Sequence, residues 1–164
     1  MAQTHFKGTP VSIHADLPAV GAAAPTFTLV GQDLSESTLD SFEGKTRVLN
    51  IFPSIDTGIC AKSVKAFHAK LAERDDAVVL NISADLPFAA KRFCGAEGVE
   101  NAKTLSTFRS SFGQDYGVTM TEGPMAGLLA RAVIVVGADG QVKHVELVPE
   151  IVQEPDYDAA IAAL

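Results

Sequence analysis

No stretch of this 164-residue chain approaches the roughly 18 apolar residues that a membrane span requires. The opening Met1-Ala2-Gln3-Thr4-His5-Phe6-Lys7 lacks a charged segment leading into an apolar one, so no secretory signal is expected. The expected location is cytoplasmic. Positive charge is scarce: 13 Lys and Arg stand against 20 Asp and Glu, a net charge of −7. That balance argues against a nucleic-acid partner and against an anionic membrane surface. Repeats, low-complexity tracts and linkers are missing, which points to one domain over residues 1–164, long enough to bury a real core. There is no Gly-rich phosphate loop and no G-x-S-x-G elbow. His5, His14, His68 and His144 are dispersed, with no C-x-x-C or H-x-x-x-H spacing, so no metal is expected. Cysteine is scarce too, and the two present, Cys60 and Cys94, become the center of interest.

What is present reads as a soluble α/β chain, 47% apolar and 20% charged, ordinary values for a globular protein. Residues 4–14 predict a hairpin: Thr4 to Lys7, a Gly8-Thr9-Pro10 turn, then Val11 to His14. Thr26 to Val30 predicts a short strand, and Leu34 to Phe42 a loop with one helical turn. Arg47 to Phe52, ended by Pro53, predicts a strand buried on both faces. Gly58 to Arg74 has helical spacing, with Cys60, Val64, Phe67 and Leu71 on one stripe and Lys62, Ser63, Lys65 and Lys70 on other faces. Ala77 to Ser83 predicts a second buried strand. Asp85-Leu86-Pro87 opens a helix that runs to Phe93-Cys94 and stops at Gly95, with Asp85 as its expected cap. Lys103 to Thr107 predicts a short strand and 108–115 a helix. Ala132 to Val136 predicts a third buried strand, which turns at Ala138-Asp139-Gly140 into the alternating Gln141 to Val148. Tyr157 to Leu164 predicts a final helix. This order gives parallel strands through right-handed crossovers, then an antiparallel edge. The expected class is α/β: a thioredoxin-like fold with a central mixed sheet flanked by helices and an N-terminal β-hairpin.

Each cysteine has a plain reading as a small buried core residue. Three features give Cys60 another. It falls in the first turn of a helix, where unpaired N–H groups and the dipole favor a thiolate, the reactive form. The connection lies at the carboxyl end of a central strand, where α/β sheets place their sites. Thr57, three residues upstream, is near enough to donate to the sulfur or to a substrate oxygen, or else to cap the helix. One hydroxyl has one proton to donate, so those roles compete. Asp56 beside a thiolate would oppose it, so it is expected to cap or to point outward. Arg131, ahead of the apolar strand, is either exposed at the strand end or held near an anion such as a thiolate. A permanent Cys60–Cys94 disulfide would stabilize the fold by roughly 3–4 kcal/mol on the chain-entropy view. Without a secretion signal a reversible one fits better.

Pro53-Ser54-Ile55-Asp56-Thr57-Gly58-Ile59-Cys60 resembles the P-x-x-x-T-x-x-C motif of the peroxiredoxins. With Ser83-Ala84-Asp85-Leu86-Pro87-Phe88 and Arg92-Phe93-Cys94-Gly95, the chain is similar to the thiol peroxidase subfamily over its whole length. The resemblance implies that Cys60 is the peroxidatic cysteine and Cys94 the resolving cysteine of the same chain. It makes Thr57, Arg131 and Pro53 the family's hydroxyl, guanidinium and loop proline. It further implies a hydroperoxide substrate, thioredoxin as reductant, a homodimer and no cofactor, whether metal, heme or flavin. Cys60 opens one helix and Cys94 closes another, so their Cα atoms are expected to lie beyond the roughly 7 Å limit for a disulfide. One or both segments, the 86–95 helix foremost, would then unwind on oxidation. A thiol–disulfide oxidoreductase is disfavored because Thr57 stands where C-x-x-C would place its first cysteine. A redox sensor using the same cysteine pair without turnover remains an alternative.

Overall fold

The computed structural model describes residues 2–99 and 102–164. Its frame is a seven-stranded mixed sheet built around the three apolar runs. These are β5 (Thr46–Ile51), β6 (Ala77–Ser83) and β8 (Ala132–Val136). With β3 (Thr28–Gly31), β4 (Glu36–Thr38), β7 (Lys103–Ser106) and β9 (Val142–Leu147), the strand order is β4-β3-β7-β6-β5-β8-β9. β5, β6 and β7 run parallel, joined by crossover helices α1 (Gly58–Leu71) and α2 (Pro87–Ala96). β8 and β9 add antiparallel on one side, and β3 and β4 on the other.

Residues of β5 alternate between two cores, as the strand's period of two requires. Leu49 and Ile51 join Leu80, Ile82, Ile134, Phe27, Phe112 and Tyr116 on one face. Val48 faces Phe67, Leu71, Val133 and Val135 on the other, beneath α1 and the C-terminal helix Tyr157–Ala162. Each such fully buried Val, Leu or Phe contributes roughly 1.5–3 kcal/mol relative to exposure.

Four local expectations are corrected. The hairpin of β1 (Gln3–Phe6) and β2 (Thr9–Ser12) turns at Lys7-Gly8, not at Gly8-Thr9-Pro10. Lys7 and Gly8 both take positive φ, 50° and 82°, which fits a two-residue turn matched to strand twist. Pro10 lies inside β2, paired with His5, as a two-stranded ribbon tolerates. The Leu34–Phe42 segment contains the strand β4 as well as a 3-10 helix at Leu39–Phe42. Ser63 is buried rather than on an outer face of α1; its hydroxyl donates to the Cys60 carbonyl at 2.8 Å and accepts from Asn50 Nδ2 at 3.3 Å. Finally, Leu86, not Asp85, is the N-cap of α2, with no side-chain cap bond. A long-range partner claims the Asp85 carboxylate.

Candidate active site

β5 and β6 are parallel neighbors, so the connections that leave their carboxyl ends must meet above the sheet. The first connection begins where Phe52 N–H donates to Ile82 O at 3.1 Å and the buried Pro53 ends the ladder. The second holds Asp85, whose carboxylate accepts from Ser54 Oγ (2.8 Å), Ile55 N–H (2.7 Å) and Ser83 Oγ (2.7 Å). This clamp fixes the loop that leads into α1. Sequence reasoning missed it because Asp85 ahead of Pro87 carries the local signal of a cap, while Ser54 and Ile55 lie some thirty residues away.

Thr57 caps α1 from an extended conformation (φ −96°, ψ 146°). Its hydroxyl donates to Ser54 O at 3.2 Å and accepts from Cys60 N–H at 3.4 Å. The proton offered in the sequence reading to the Cys60 sulfur is therefore directed at a backbone carbonyl here. Capping wins because the orphan N–H of the first turn needs that oxygen. Asp56 points outward and pairs with Arg92 of α2 at 3.4 Å.

Cys60 is the third residue of α1 and fully buried. Antiparallel pairing of β8 with β5, Ala132 opposite Ile51, brings the start of β8 to the same end of the sheet. Arg131, just ahead of β8, is thereby 2% exposed rather than free at a strand end. Its Nη2 lies 3.2 Å from Cys60 Sγ, and its Nε donates to Ile151 O at 2.7 Å. Nη1 is buried with no hydrogen-bond partner among the described residues. Burying a charge is costly unless it meets an opposite charge or strong acceptors, and the sulfur is the one ionizable group hydrogen-bonded to this guanidinium among the described residues.

Cys94 lies in the last turn of α2, 1% exposed. Both cysteines are free thiols, and both belong to one apolar cluster with Phe52, Ile55, Val64, Phe93, Val99 and Ala102. Burial pushes the Cys94 thiol up from its ordinary value, and a hydrogen bond from Gln32 opposes that. Besides the cluster, α2 is tied to the α1 side by exposed ion pairs, Lys65–Glu97 at 2.8 Å and Asp56–Arg92 at 3.4 Å, each worth little in water. Phe52 packs with Cys60, and Ile59 is half-buried. Met120, Met125 and Leu128 pack in a separate cluster with Val11, Ile13 and Ile151.

Chemically, the site sets a thiol at a helix start against a buried guanidinium, with a second thiol in the same apolar cluster and no group of three or more metal-ligating side chains among the described residues. Comparison with known proteins agrees with that chemistry. The redoxin family model matches residues 19–161. A thiol peroxidase of Mycobacterium tuberculosis is 58% identical over 164 residues, covering 100% of this chain and 99% of that protein. One from Corynebacterium glutamicum is 51% identical over the same span and coverage. Among solved structures, a peroxiredoxin-like protein from Aquifex aeolicus superposes with a TM-score of 0.94 at 36% identity, covering 99% of this chain and 95% of that one. The chain belongs to the redoxin family and, within it, to the peroxiredoxin-type thiol peroxidases.

Proposed function

We propose that Cys60 is the residue that reduces the peroxide and that Cys94 resolves the product within the same chain. The contact of Arg131 Nη2 with Cys60 Sγ carries this reading. The Cys60 thiolate attacks one oxygen of a hydroperoxide. The O–O bond breaks, the sulfur becomes a sulfenic acid, and the leaving alkoxide or hydroxide takes a proton to give alcohol or water. Arg131 is placed to stabilize charge as it moves from sulfur to the leaving oxygen, with Nη1 still open to a second acceptor. Pro53 and the Asp85 clamp fix the loop from which Thr57 caps α1. On binding, a peroxide oxygen would replace Ser54 O as the acceptor of the Thr57 proton.

The Cys94 thiolate then attacks the Cys60 sulfur, the S–O bond breaks and water leaves, giving an intrachain disulfide. Both thiols are buried in helices, so one or both helices open for this step, α2 foremost. Its ten residues and exposed ion pairs make it the cheaper of the two helices to open. Thioredoxin is the proposed dithiol reductant, and the cytoplasm, where thiols are kept reduced, the proposed location. No helix among the described residues is long and apolar enough to cross a membrane. A homodimer is proposed as well; Leu86 and Phe88, 51% and 66% exposed at the start of α2, offer apolar surface for it.

The test is hydroperoxide consumption coupled to thioredoxin. Cys60→Ser should consume nothing. Cys94→Ser should take up one equivalent and hold a sulfenic acid that dimedone traps. Full consumption by Cys60→Ser would refute the assignment.

A further inference from the structure

Cys94 is enclosed by apolar side chains, yet its sulfur has one polar partner among the described residues. Gln32 Nε2 lies 3.5 Å from Cys94 Sγ. Gln32 directly follows β3, and the β3–β7 pairing, Gly31 opposite Leu105, carries it to the start of β7. There the same nitrogen donates to Thr104 Oγ1 at 2.8 Å and to Ala102 O at 3.2 Å. A carbonyl can only accept, so the Ala102 contact fixes which end of the carboxamide faces this cluster: the N–H end, not the oxygen. Two N–H protons serve three acceptors, so the sulfur, the most distant of them, shares a proton with an anchor, while the two anchors, which do not depend on Cys94, keep the N–H end turned toward it.

We propose that Gln32 stabilizes the anionic form of Cys94 while α2 is folded, so that the resolving thiol is already deprotonated when the helix opens and the disulfide closes. This rests on the reading of Cys94 given above. Cys94 must lose its S–H proton to solvent before its sulfur can form the S–S bond and expel hydroxide, which leaves as water. Burial alone opposes that loss. A neutral N–H donor favors the anion without adding a charge to the apolar cluster. This contrasts with Arg131 at Cys60, where the donor is itself charged.

Two substitutions of similar length separate the donor from its shape. Gln32→Met keeps the volume without the N–H, and Gln32→Glu puts an acceptor-only carboxylate in its place. In a Cys60→Ser background, the ultraviolet thiolate band reports Cys94 alone. Its midpoint should rise in the order Gln32, then Gln32→Met, then Gln32→Glu. Burial pushes both tyrosines up from their ordinary range as well, and the separate tyrosinate band subtracts their ionization from that titration. In chains that retain Cys60, the disulfide-forming phase after a peroxide pulse should slow on the order of three-fold at neutral pH in Gln32→Met, and recover as pH is raised. A packing role alone would give neither that order nor the recovery. An unchanged midpoint overturns the proposal. So does a faster disulfide in Gln32→Met, which would make Gln32 a restraint on α2. If the unsubstituted chain forms no disulfide, the reading of Cys94 fails while the titration still judges Gln32. If it does form one and the variants match it, only the role of Gln32 fails.

Discussion

Two arginines, both 2% exposed, sit at opposite ends of the same sheet. Arg47 is the second residue of β5; its Nη1 donates to Leu39 O at 3.0 Å and its Nη2 to Gly137 O. Arg131 precedes β8, with Nε on Ile151 O and Nη2 on Cys60 Sγ. Each has one nitrogen without a partner among the described residues. Depth and chemistry are thus nearly the same, and the acceptors differ. Arg47 ties the 3-10 helix and the β8–β9 turn to the sheet through backbone carbonyls, so it acts as a fastener. Arg131 keeps one fork of its guanidinium for a group that can ionize. A buried charge is therefore weak evidence of a reaction site, and what it faces is much stronger evidence.

That contrast can be tested by asking which groups hold the fold and which do not. The largest stability effect expected is for Arg47→Met, which leaves the Leu39 and Gly137 carbonyls without their donor. It should lower unfolding free energy by about 1–3 kcal/mol, read by urea titration of the reduced chain. No loss would mean the fastener is idle. Thr57→Ala should cost about 1 kcal/mol through the lost cap, with Thr57→Ser restoring most of it in the same titration. Equal losses for both would remove the capping role seen in the hydrogen bonds. The smallest effect concerns pH. Burial raises the folded Cys94 above its unfolded value, so above the ordinary cysteine range the folded state binds more protons than the unfolded one. The stability from this thiol is complete below that range and is lost as pH rises through the folded value. Stability against pH should therefore fall less steeply on the alkaline side in Cys94→Ala. An unchanged slope would place Cys94 in a more polar setting than the cluster suggests.

Much of the frame was legible because its signals are local. Arg47 to Phe52, Ala77 to Ser83 and Ala132 to Val136 are apolar runs with no rival reading, and the Cys60-Val64-Phe67-Leu71 stripe has one helical solution. What escaped depends on partners far along the chain or on a residue acting against its type. β4, Glu36-Ser37-Thr38, carries no apolar period and is a strand only because β3 offers it an edge. Lys7 takes a left-handed φ more often given to Gly or Asn. Asp85 looks like a cap until the loop after β5 is brought beside it. Gln32 gives no sequence signal at all, since its meaning arises from the β3–β7 register. For Arg131 the sequence left two positions open, and the antiparallel placement of β8 beside β5 chooses between them.

The most direct test of the central claim sets the two arginines side by side. The rate of Cys60 oxidation by hydrogen peroxide is measured in a single turnover for Arg131→Met and Arg47→Met, at a temperature where both remain folded. A loss of roughly a hundred-fold is expected in Arg131→Met, with a rate near that of the unsubstituted chain in Arg47→Met. Equal losses in the two, or an unimpaired Arg131→Met, would contradict that claim.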